Sequence, residues 1–417
     1  MPPALPAPTP RPAGAPLALA GIRVADFSHF IAGPLCSRIL ADLGAAVIKI
    51  EKADGGDDFR RLLPPVTADA GAPFLWANRN KRSIALDLKQ PVAQQVARDI
   101  VARSDVLLEN FSTGVMDRFG LGYPTLSAAN PRLIYASISA YGRDGVLKDR
   151  LGFDPIAQAE SGFMAMNGDP GGVGMRAGPS IMDMSTAMMT GNAILAALFA
   201  RERLGVGQRI ESALFDQAVT MVGFHAMNYL ASGAEPPRFG NVSRDTVPTA
   251  TFETADRPIF IACANDRTWQ RLCGVLERPD LAAHPDYAST PDRIRNREAL
   301  LAIVSSVLLT RGRADWLPRM RSAGVPAGAV NSLAEAFGSD EMATRGMVTA
   351  IPHPTAGSVP NIRLPFRMAG TPLADPVAAP GLGQDSAAVL RDLLGYDAGR
   401  IEALVASGAV VAGAAMS

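Results

Sequence analysis

The first part of the chain alternates between short apolar segments and amphipathic ones, and this alternation is the strongest constraint on the fold. The stretches "IRVADFS", "AAVIKIEK" and "DVLLENF" have the length and apolar content of buried strands. Between them, "GPLCSRILADLG" and "PVAQQVARDIVARS" predict helices. This order predicts a mostly parallel sheet with helices on its faces, an α/β fold of the doubly wound, Rossmann-like kind.

Polar or glycine-bearing turns follow the predicted strands. They cover residues 28–34, 52–57, 110–114 and 141–145. In doubly wound sheets, ligands lie beyond the carboxyl ends of the strands. We therefore expect a binding crevice built from these turns.

Composition changes near residue 232, where a turn-rich stretch with few large apolar residues begins. We place the start of a smaller α+β domain there. Residues 19–231 then form the large domain, and residues 232–344 form the small domain and its linker. Residues 1–18 are rich in Pro and Ala and lack the features of a signal peptide, so we expect a disordered leader.

Charge and cysteine content argue against several functional classes. The 40 Lys and Arg residues balance 40 Asp and Glu, which gives no reason to expect binding to nucleic acid or to a membrane surface. There is no run of about 18 apolar residues to span a bilayer. The 3 cysteines have no disulfide or metal-site spacing, and a reduced cytoplasmic location is expected.

Motifs of several common enzyme classes are absent from the sequence. Neither G-x-G-x-x-G nor G-x-x-x-x-G-K-[ST] occurs, which argues against a dinucleotide dehydrogenase and a P-loop enzyme. The 4 histidines are far apart, without H-E-x-x-H, and there is no G-x-S-x-G elbow, so neither a metal site nor a serine triad is expected. His29 follows the first strand and is a candidate to line the crevice, whereas His225 suits a core position.

Asp183 stands in the apolar stretch "AGPSIMDMSTAMMTGNAILAALFA" and is its only ionisable side chain. Pro179 and Ser180 predict a helix start, which places the carboxylate in the first turn. Ala187 and Gly191 lie on the same face and leave space beside it. Two interpretations remain open: a structural carboxylate that caps the helix or pairs with Arg176, and a functional group facing a substrate.

Basic residues occur at or near the turns of the predicted sheet. Taken singly they are ordinary surface residues, but together they could bind phosphates through charge-assisted hydrogen bonds. They include Lys52, Lys89, Arg118, Arg143 and Arg150.

Several separated motifs, in order, resemble those of the family III CoA-transferases. They are "IRVADFSHFIAGPLCSRILADLGAAVIKIEK", "NRNKRSIALDLKQP", "NPRLIYASISAYGRDG", "MRAGPSIMDMSTAMMTGNAILAAL", "AGVPAGAVNSLAE" and "PGLGQDSAAVLRDLLGY". The resemblance implies a Rossmann-like large domain to which residues 345–417 return, a small domain between, and an intertwined homodimer.

In that family's chemistry, Asp183 would be the catalytic nucleophile. The resemblance implies that it attacks an acyl-CoA thioester and that an aspartyl-CoA thioester follows, before a carboxylic acid takes up the CoA. Coenzyme A is then a substrate, and no prosthetic group is expected. A carboxylate ionised at neutral pH would need neither a metal nor a histidine base.

The resemblance also implies which residues contact CoA. They are Ile31, Ala32, Lys52, Leu86, Lys89, Asn110, Phe111, Ser112, Arg118, Arg150 and Phe153.

At two places the sequence differs from the motifs of known relatives. Racemases of this superfamily have His-Asp in a "GHD" motif, and here the motif is "GFD", with Phe153 in place of the histidine. Residues 237–249 lack the glycine-rich loop of the formyl-CoA enzyme, so oxalate is not the expected acceptor. We expect an acyl-CoA:carboxylate CoA-transferase; the alternatives are an isomerase that uses Asp183 and Asp154, and a CoA-binding regulatory protein.

The identity of the acids is not given by these motifs. Arg176 and Arg244 are candidates to bind the distal carboxylate of a dicarboxylic acid, because guanidinium binds carboxylates in a bidentate manner. A purely structural role for both arginines is the other interpretation.

Overall fold

The computed structural model describes residues 5–413. The chain divides into two units. The first comprises the chain up to Phe163, Ala177–Ala226 and the chain from Glu341 onward; the second comprises Met164–Arg176 and Met227–Asp340. The second unit thus takes in a segment near residue 170 that composition alone placed in the large domain.

The elements follow one another along the chain. As far as Ser232 they are β1 (Arg23–Asp26), α1 (Ala32–Asp42), β2 (Ala46–Lys52), a 3-10 helix (Asp58–Arg61), α2 (Ala72–Asn78), β3 (Lys81–Leu86), α3 (Pro91–Ala102), β4 (Val106–Glu109), α4 (Val115–Arg118), α5 (Tyr123–Ala129), β5 (Ile134–Ser139), α6 (Asp154–Glu160), α7 (Phe163–Met166), α8 (Ile181–Leu204), β6 (Arg209–Ala213) and α9 (Leu214–Ser232). The next are β7 (Thr249–Phe252), β8 (Ile259–Ala262), α10 (Asp266–Val275), α11 (Pro279–Ala283), α12 (Thr290–Arg295), α13 (Arg297–Leu308), α14 (Arg313–Ala323), β9 (Ala327–Ala329), α15 (Leu333–Phe337) and α16 (Asp340–Arg345). The last are β10 (Val348–His353), β11 (Gly357–Ile362), α17 (Ser386–Ala388), a π-helix (Val389–Leu393), α18 (Ala398–Ala406) and β12 (Val410–Val411).

The large sheet is mostly parallel. Within the described part of the chain it has 7 strands in the order β12-β3-β2-β1-β4-β5-β6. Strands β1 to β6 pair in parallel, whereas β12 pairs antiparallel with β3. The mixed α/β class and the predicted strands are confirmed. The order reverses between β1 and β4, and such a reversal is where a doubly wound sheet opens a crevice.

Successive residues of the central strands β1, β4 and β5 enter two different hydrophobic cores. In β1, Val24 packs in the core that includes Cys36 and Ile194, from α1 and α8. Its neighbour Ala25 packs in the core that includes Ile100 from α3. Strands that are buried on both faces need nearly continuous apolar sequence, and this is why the period-2 alternation of a half-exposed strand is missing here.

The second unit has its own core. Its antiparallel sheet has the order β7-β8-β9. Trp269 and Trp316 are buried beside Ile259 and Leu300. The strand predicted at "PIFIACA" and the helices predicted near "WQRLCGVL" and "NREALLAIVSSVLL" are confirmed as β8, α10 and α13.

The Pro- and Ala-rich leader makes specific contacts where the structure describes it. The carbonyl of Pro6 accepts a hydrogen bond from the Ala350 N–H at 2.8 Å. The Arg11 N–H donates to the Asp375 carboxylate at 2.8 Å. Residues 1–4 of the expected leader lie outside the described residues.

Helix α8 is, within residues 5–413, the one helix long and apolar enough to cross a bilayer. A core helix of a globular protein passes the same test, so this is weak evidence for a membrane span. Met182 and Ala187 of this helix are buried in the core beneath α1.

Buried ion pairs connect β2 to the segment that follows it. Glu51 accepts two hydrogen bonds from Arg60, at 2.8 and 2.7 Å, and one from Ser83 at 2.7 Å. Lys49 donates to Asp57 at 3.0 Å and to the Ser28 carbonyl at 2.8 Å. These groups are almost inaccessible to solvent, so each charge depends on its partner for stabilisation.

We predict that Glu51→Ala lowers the free energy of unfolding by about 3–5 kcal/mol at neutral pH, because it leaves the Arg60 guanidinium buried with an incomplete set of partners. Burial alone would raise the pKa of Glu51, but Arg60 and Lys49 outweigh burial and hold it below its usual value. The stabilisation is therefore present above the unfolded pKa of about 4.3 and is lost as the pH falls below it.

Urea denaturation at pH 7 and at lower pH measures both effects. Lys52→Ala, on the same strand but with an exposed side chain, is the control and should cost less than about 1 kcal/mol. Equal losses in the two variants would contradict the importance of the buried pair.

Candidate active site

Two adjoining cavities lie at the carboxyl ends of the parallel strands. The outer cavity has a volume of about 420 Å³ and extends from Lys52 to Phe153. The Asp183 cavity has a volume of about 270 Å³ and includes Asp183 and Ser180 in its wall. The two share lining residues, namely His29, Asn110, Ser139, Ala140, Gly152 and Phe153. The crevice expected from the strand order is therefore present, and it leads toward Asp183.

The turn after β1 is held by side chains from neighbouring strands. Asn110 accepts a hydrogen bond from the His29 N–H and donates one to the His29 carbonyl, both at 2.9 Å. Phe30 has a φ of 61°, a left-handed conformation that is unfavourable for a side chain of this size. Its N–H donates to Asp57 at 3.1 Å. These bonds fix Phe30 and Ile31 in the wall of the Asp183 cavity.

Asp154 caps the helix that carries Asp183. Its Oδ2 accepts hydrogen bonds from the backbone N–H groups of Met182 at 2.6 Å and of Asp183 at 3.1 Å. Its Oδ1 accepts a third from Gln158 at 2.5 Å. The residue before the helix, Ser180, makes no capping bond with its side chain. Asp154 therefore fills the helix-capping role that the sequence left open for Asp183.

The Asp183 carboxylate itself makes no hydrogen bond or ion pair with residues 5–413. It is half-buried at the beginning of α8. Burial, and then the negative charge of Asp154, raise its pKa to about 7. The expectation of a carboxylate ionised at neutral pH therefore needs correction: near pH 7 a substantial fraction of the unliganded molecules carries the proton.

His29 lines both cavities. Burial lowers the pKa of its imidazole, so the ring is mainly neutral at pH 7. The ring packs against Phe30 and Phe111, with centroids 5.5 Å apart in each case. His29 therefore adds an aromatic surface to the cleft rather than a positive charge.

The residues expected to contact CoA fall into two groups. The outer cavity is lined by Lys52, Asn110, Phe111, Ser112, Arg150 and Phe153, and the Asp183 cavity by Ile31, Ala32, Asn110 and Phe153. Leu86, Lys89 and Arg118 line neither. Leu86 is fully buried at the end of β3, while Lys89 and Arg118 are exposed.

Two cations of the outer cavity, Lys52 and Arg150, are paired with exposed carboxylates. Lys52 lies 2.8 Å from Asp58, and Arg150 lies 2.6 Å from Glu160. Exposed pairs of this kind contribute little to stability, because water screens the two charges. Both cations can therefore exchange their partners for a phosphate at low cost.

Some residues that line the outer cavity were not among the site residues predicted from the sequence. Lys148 adds a cation to the outer cavity, and Asp57 and Ser139 line it. The signal for them was only their position at the end of β5 or in the turns after β2 and β5. Arg143 was considered as a phosphate ligand, but its guanidinium binds Glu109 at 2.9 and 3.0 Å and is largely buried.

The two arginines considered for a distal carboxylate belong to the second unit, whereas Asp183 belongs to the first. Arg244 lies 3.6 Å from Asp245 and is exposed on that unit.

The isomerase alternative would use Asp154 as a base. Its carboxylate is 1% exposed and holds three hydrogen bonds, so it is poorly suited to proton transfer.

Comparison with known proteins agrees with this geometry. The family model for CoA-transferase family III matches residues 19–386. The chain belongs to CoA-transferase family III. It is 37% identical over 381 residues to a succinate–glutarate CoA-transferase of Agrobacterium fabrum, covering 90% of this chain and 95% of that protein.

Further similarities extend over most of this family III CoA-transferase. An acetyl-CoA:oxalate CoA-transferase of Acetobacter aceti is 39% identical over 329 residues, covering 79% of this chain and 84% of the relative. A CAIB/BAIF family protein from Brucella suis has a solved structure that superposes with a TM-score of 0.83 at 35% identity, covering 91% of this chain and all of that one. The family resemblance and the transfer of CoA between carboxylic acids are confirmed, and the non-catalytic alternative is not supported.

We predict that Asp154→Asn lowers the pKa of Asp183 in this CoA-transferase from about 7 toward its ordinary value, because the substitution removes the nearby negative charge but keeps the shape of the cap. The weaker cap should also cost about 1 kcal/mol of stability. Carbon-13 titration of the aspartate carboxyls measures the pKa, with Asp183→Asn identifying the resonance.

Asp392→Asn, at an exposed carboxylate, is the control and should leave the titration unchanged. An Asp183 pKa that stays near 7 in Asp154→Asn would show that burial alone sets it.

Proposed function

We propose that this enzyme moves CoA from an acyl-CoA donor to a carboxylic acid through a thioester formed on Asp183. The observation that carries the proposal is a carboxylate that has no partner among residues 5–413, in a cavity that adjoins a larger, cation-bearing cleft. An unpaired carboxylate in an apolar cavity is costly to keep, so a catalytic use accounts for it better than a structural one.

The proposed chemistry is an exchange of acyl groups at one carboxylate. An Asp183 oxygen attacks the thioester carbonyl carbon, the carbon–sulfur bond breaks, and CoA leaves as the thiolate. The thiolate then attacks the Asp183 carbonyl of the resulting anhydride and releases the first acid as a carboxylate. The second acid attacks the aspartyl-CoA thioester and displaces the thiolate, which gives a second anhydride. The thiolate then attacks the acyl carbonyl of this anhydride, forms the new acyl-CoA and releases Asp183 as a carboxylate.

The raised pKa suits this role. A carboxylate with a pKa of about 7 is a stronger nucleophile than an ordinary one, and a substantial fraction of it is ionised near neutral pH. The positive end of α8 helps to hold negative charge at the same place.

We place the CoA moiety in the outer cavity, with its thioester toward Asp183. Lys52, Lys148 and Arg150 supply cations for its phosphates there. The exposed Lys89 and Arg118 would assist only where the ligand extends beyond the cavity.

We propose a dicarboxylic acid as one of the two acids, on the basis of similarity to the succinate–glutarate enzyme. The residues lining the Asp183 cavity include no Arg or Lys. A cation for the distal carboxylate must then come from elsewhere, and Arg176 and Arg244 are the candidates.

A Rossmann-like large domain and an intertwined homodimer are also part of the proposal, since the family resemblance implies them. Exposed apolar side chains support an association. Phe199 is 61% exposed and Phe224 is 63% exposed in the single chain.

We predict that incubation with a donor acyl-CoA, without an acceptor, leaves CoA covalently bound to Asp183. Mass spectrometry should detect the adduct, and borohydride should reduce it to an alcohol. Asp183→Asn should form no adduct and should lose transfer activity by about a thousandfold or more, because the nucleophile is gone.

Asp216→Asn, at an exposed aspartate on α9, serves as the matched control and should retain both the adduct and the activity. Full transfer by Asp183→Asn would refute the covalent mechanism. Deuterium incorporation at the α-carbon of a 2-methylacyl-CoA in heavy water would instead support the isomerase.

We predict that kcat/KM for the donor rises about tenfold per pH unit below pH 7 and levels off above it. The reason is that only the deprotonated Asp183 attacks, and burial with Asp154 raises its pKa to about 7. Initial rates between about pH 5 and pH 9 test this. A plateau already reached near pH 5 would show that the group titrates at its ordinary value.

Crossing a panel of CoA donors with monocarboxylic and dicarboxylic acceptors identifies the acids. Arg244→Ala should raise KM for dicarboxylic acceptors and leave monocarboxylic ones unaffected if the guanidinium binds the distal carboxylate. Mass spectrometry of the product thioesters is the readout.

A further inference from the structure

A third cavity lies at the opposite edge of the large sheet. It has a volume of about 320 Å³ and shares no lining residue with the outer cavity or the Asp183 cavity. Asp42 and Arg79 in its wall precede the amino ends of β2 and β3, respectively. Because β1 to β6 are parallel, the amino ends of these strands lie away from the carboxyl ends that form the catalytic cleft.

The charged residues of this cavity are predominantly positive. Those that line it are Arg11, Arg79, Arg363, Arg367, Asp42 and Asp375. Both carboxylates are already bound to arginines: Asp42 to Arg79, at 3.0 Å from Nε, and Asp375 to Arg11, at 3.7 Å. Among the described residues that line it, the cavity thus has two more cations than anions.

Two guanidinium groups carry this excess of positive charge. The Arg363 guanidinium makes no hydrogen bond or ion pair with the described residues. Arg367 donates to the Arg345 carbonyl at 2.7 Å and has no carboxylate partner within residues 5–413. Arg363 is partly buried, so water does not fully solvate its charge. Guanidinium groups in this state favour bidentate binding of phosphate or carboxylate oxygens.

Neighbouring segments make the cavity a built site rather than an open surface. The Arg79 guanidinium also donates to Asn361 at 2.6 Å, which ties the wall to β11. Residues 8–12 of the leader form another side of the cavity, where the Arg11 N–H is bound to Asp375. The volume corresponds to about ten water molecules of about 30 Å³ each, enough for a small organic or inorganic anion.

We propose that this cavity binds a small oxyanion with at least two negative charges, a phosphate or a dicarboxylate, held by Arg363 and Arg367 and covered by the leader. The site is separate from the CoA cleft, and its occupation does not depend on the chemistry at Asp183.

Isothermal titration calorimetry of the full chain tests the proposal, with inorganic pyrophosphate and succinate as separate probes. Saturating CoA keeps pyrophosphate out of the outer cavity, and the arginine variants separate binding at the third cavity from binding of succinate as a substrate beside Asp183. We expect one saturable site for at least one probe, and the probe that binds identifies phosphate or carboxylate chemistry. Arg363→Gln with Arg367→Gln should weaken binding by about tenfold or more.

Arg391→Gln, at an exposed arginine on another surface, is the matched control and should bind like the unmodified protein. The single variant Arg363→Gln serves as well if the double variant unfolds, because it removes no hydrogen bond or ion pair with residues 5–413. Asp183→Asn should bind the probe normally even if the proposed transfer mechanism fails. Equal affinity in the arginine variants, or no saturable binding up to about 1 mM, would overturn the site.

Discussion

The active site depends on the contact between the Asp154 carboxylate and the first N–H groups of α8. A helix start leaves backbone donors without partners, and a carboxylate is a favourable acceptor for them. If Asp183 met this need itself, its oxygens would be occupied. Since Asp154 meets it at 2.6 and 3.1 Å, Asp183 is left without a partner in the cavity wall. The same contact places a second negative charge close to Asp183 and contributes to its raised pKa.

This arrangement balances two requirements of the carboxylate nucleophile that we propose. Burial and Asp154 make Asp183 more basic, which strengthens its attack on a thioester but reduces the ionised fraction. With a pKa of about 7, Asp183 is more basic than an ordinary carboxylate and is still ionised in a substantial fraction of molecules near neutral pH. A substrate that excludes more water would raise the pKa further, so the positive end of α8 has to support the charge when the cavity is filled.

Sequence patterns predicted the strands of the sheet and drew attention to Asp183, because both signals are local. Buried strands show as apolar runs, and a lone carboxylate is conspicuous in an apolar helix. The capping role of Asp154 was not predictable, since the two bonded segments are 28 and 29 residues apart and nothing local records the contact. The strand ends indicated which turns meet at the crevice, but not which way Lys89 and Arg118 point. Arg11 and Asp375 are 364 residues apart in the sequence, and amino-acid composition does not predict their contact.

The turn after β1 shows how the cleft is shaped without the glycines of a dinucleotide-binding loop. The turn requires a residue in the left-handed conformation, and glycine would adopt that conformation without strain. The chain has Phe30 instead, at a φ of 61°, and a bulky residue in this region costs roughly 1–2 kcal/mol. Hydrogen bonds from the backbone to Asp57 and Asn110 offset that cost. In return, the phenyl ring contributes an apolar wall beside Asp183, facing Phe153 at a centroid distance of 6.1 Å. Glycine would supply the turn but not the wall, so the strained residue suits the role we propose for Asp183, because the ring helps to keep water away from its carboxylate.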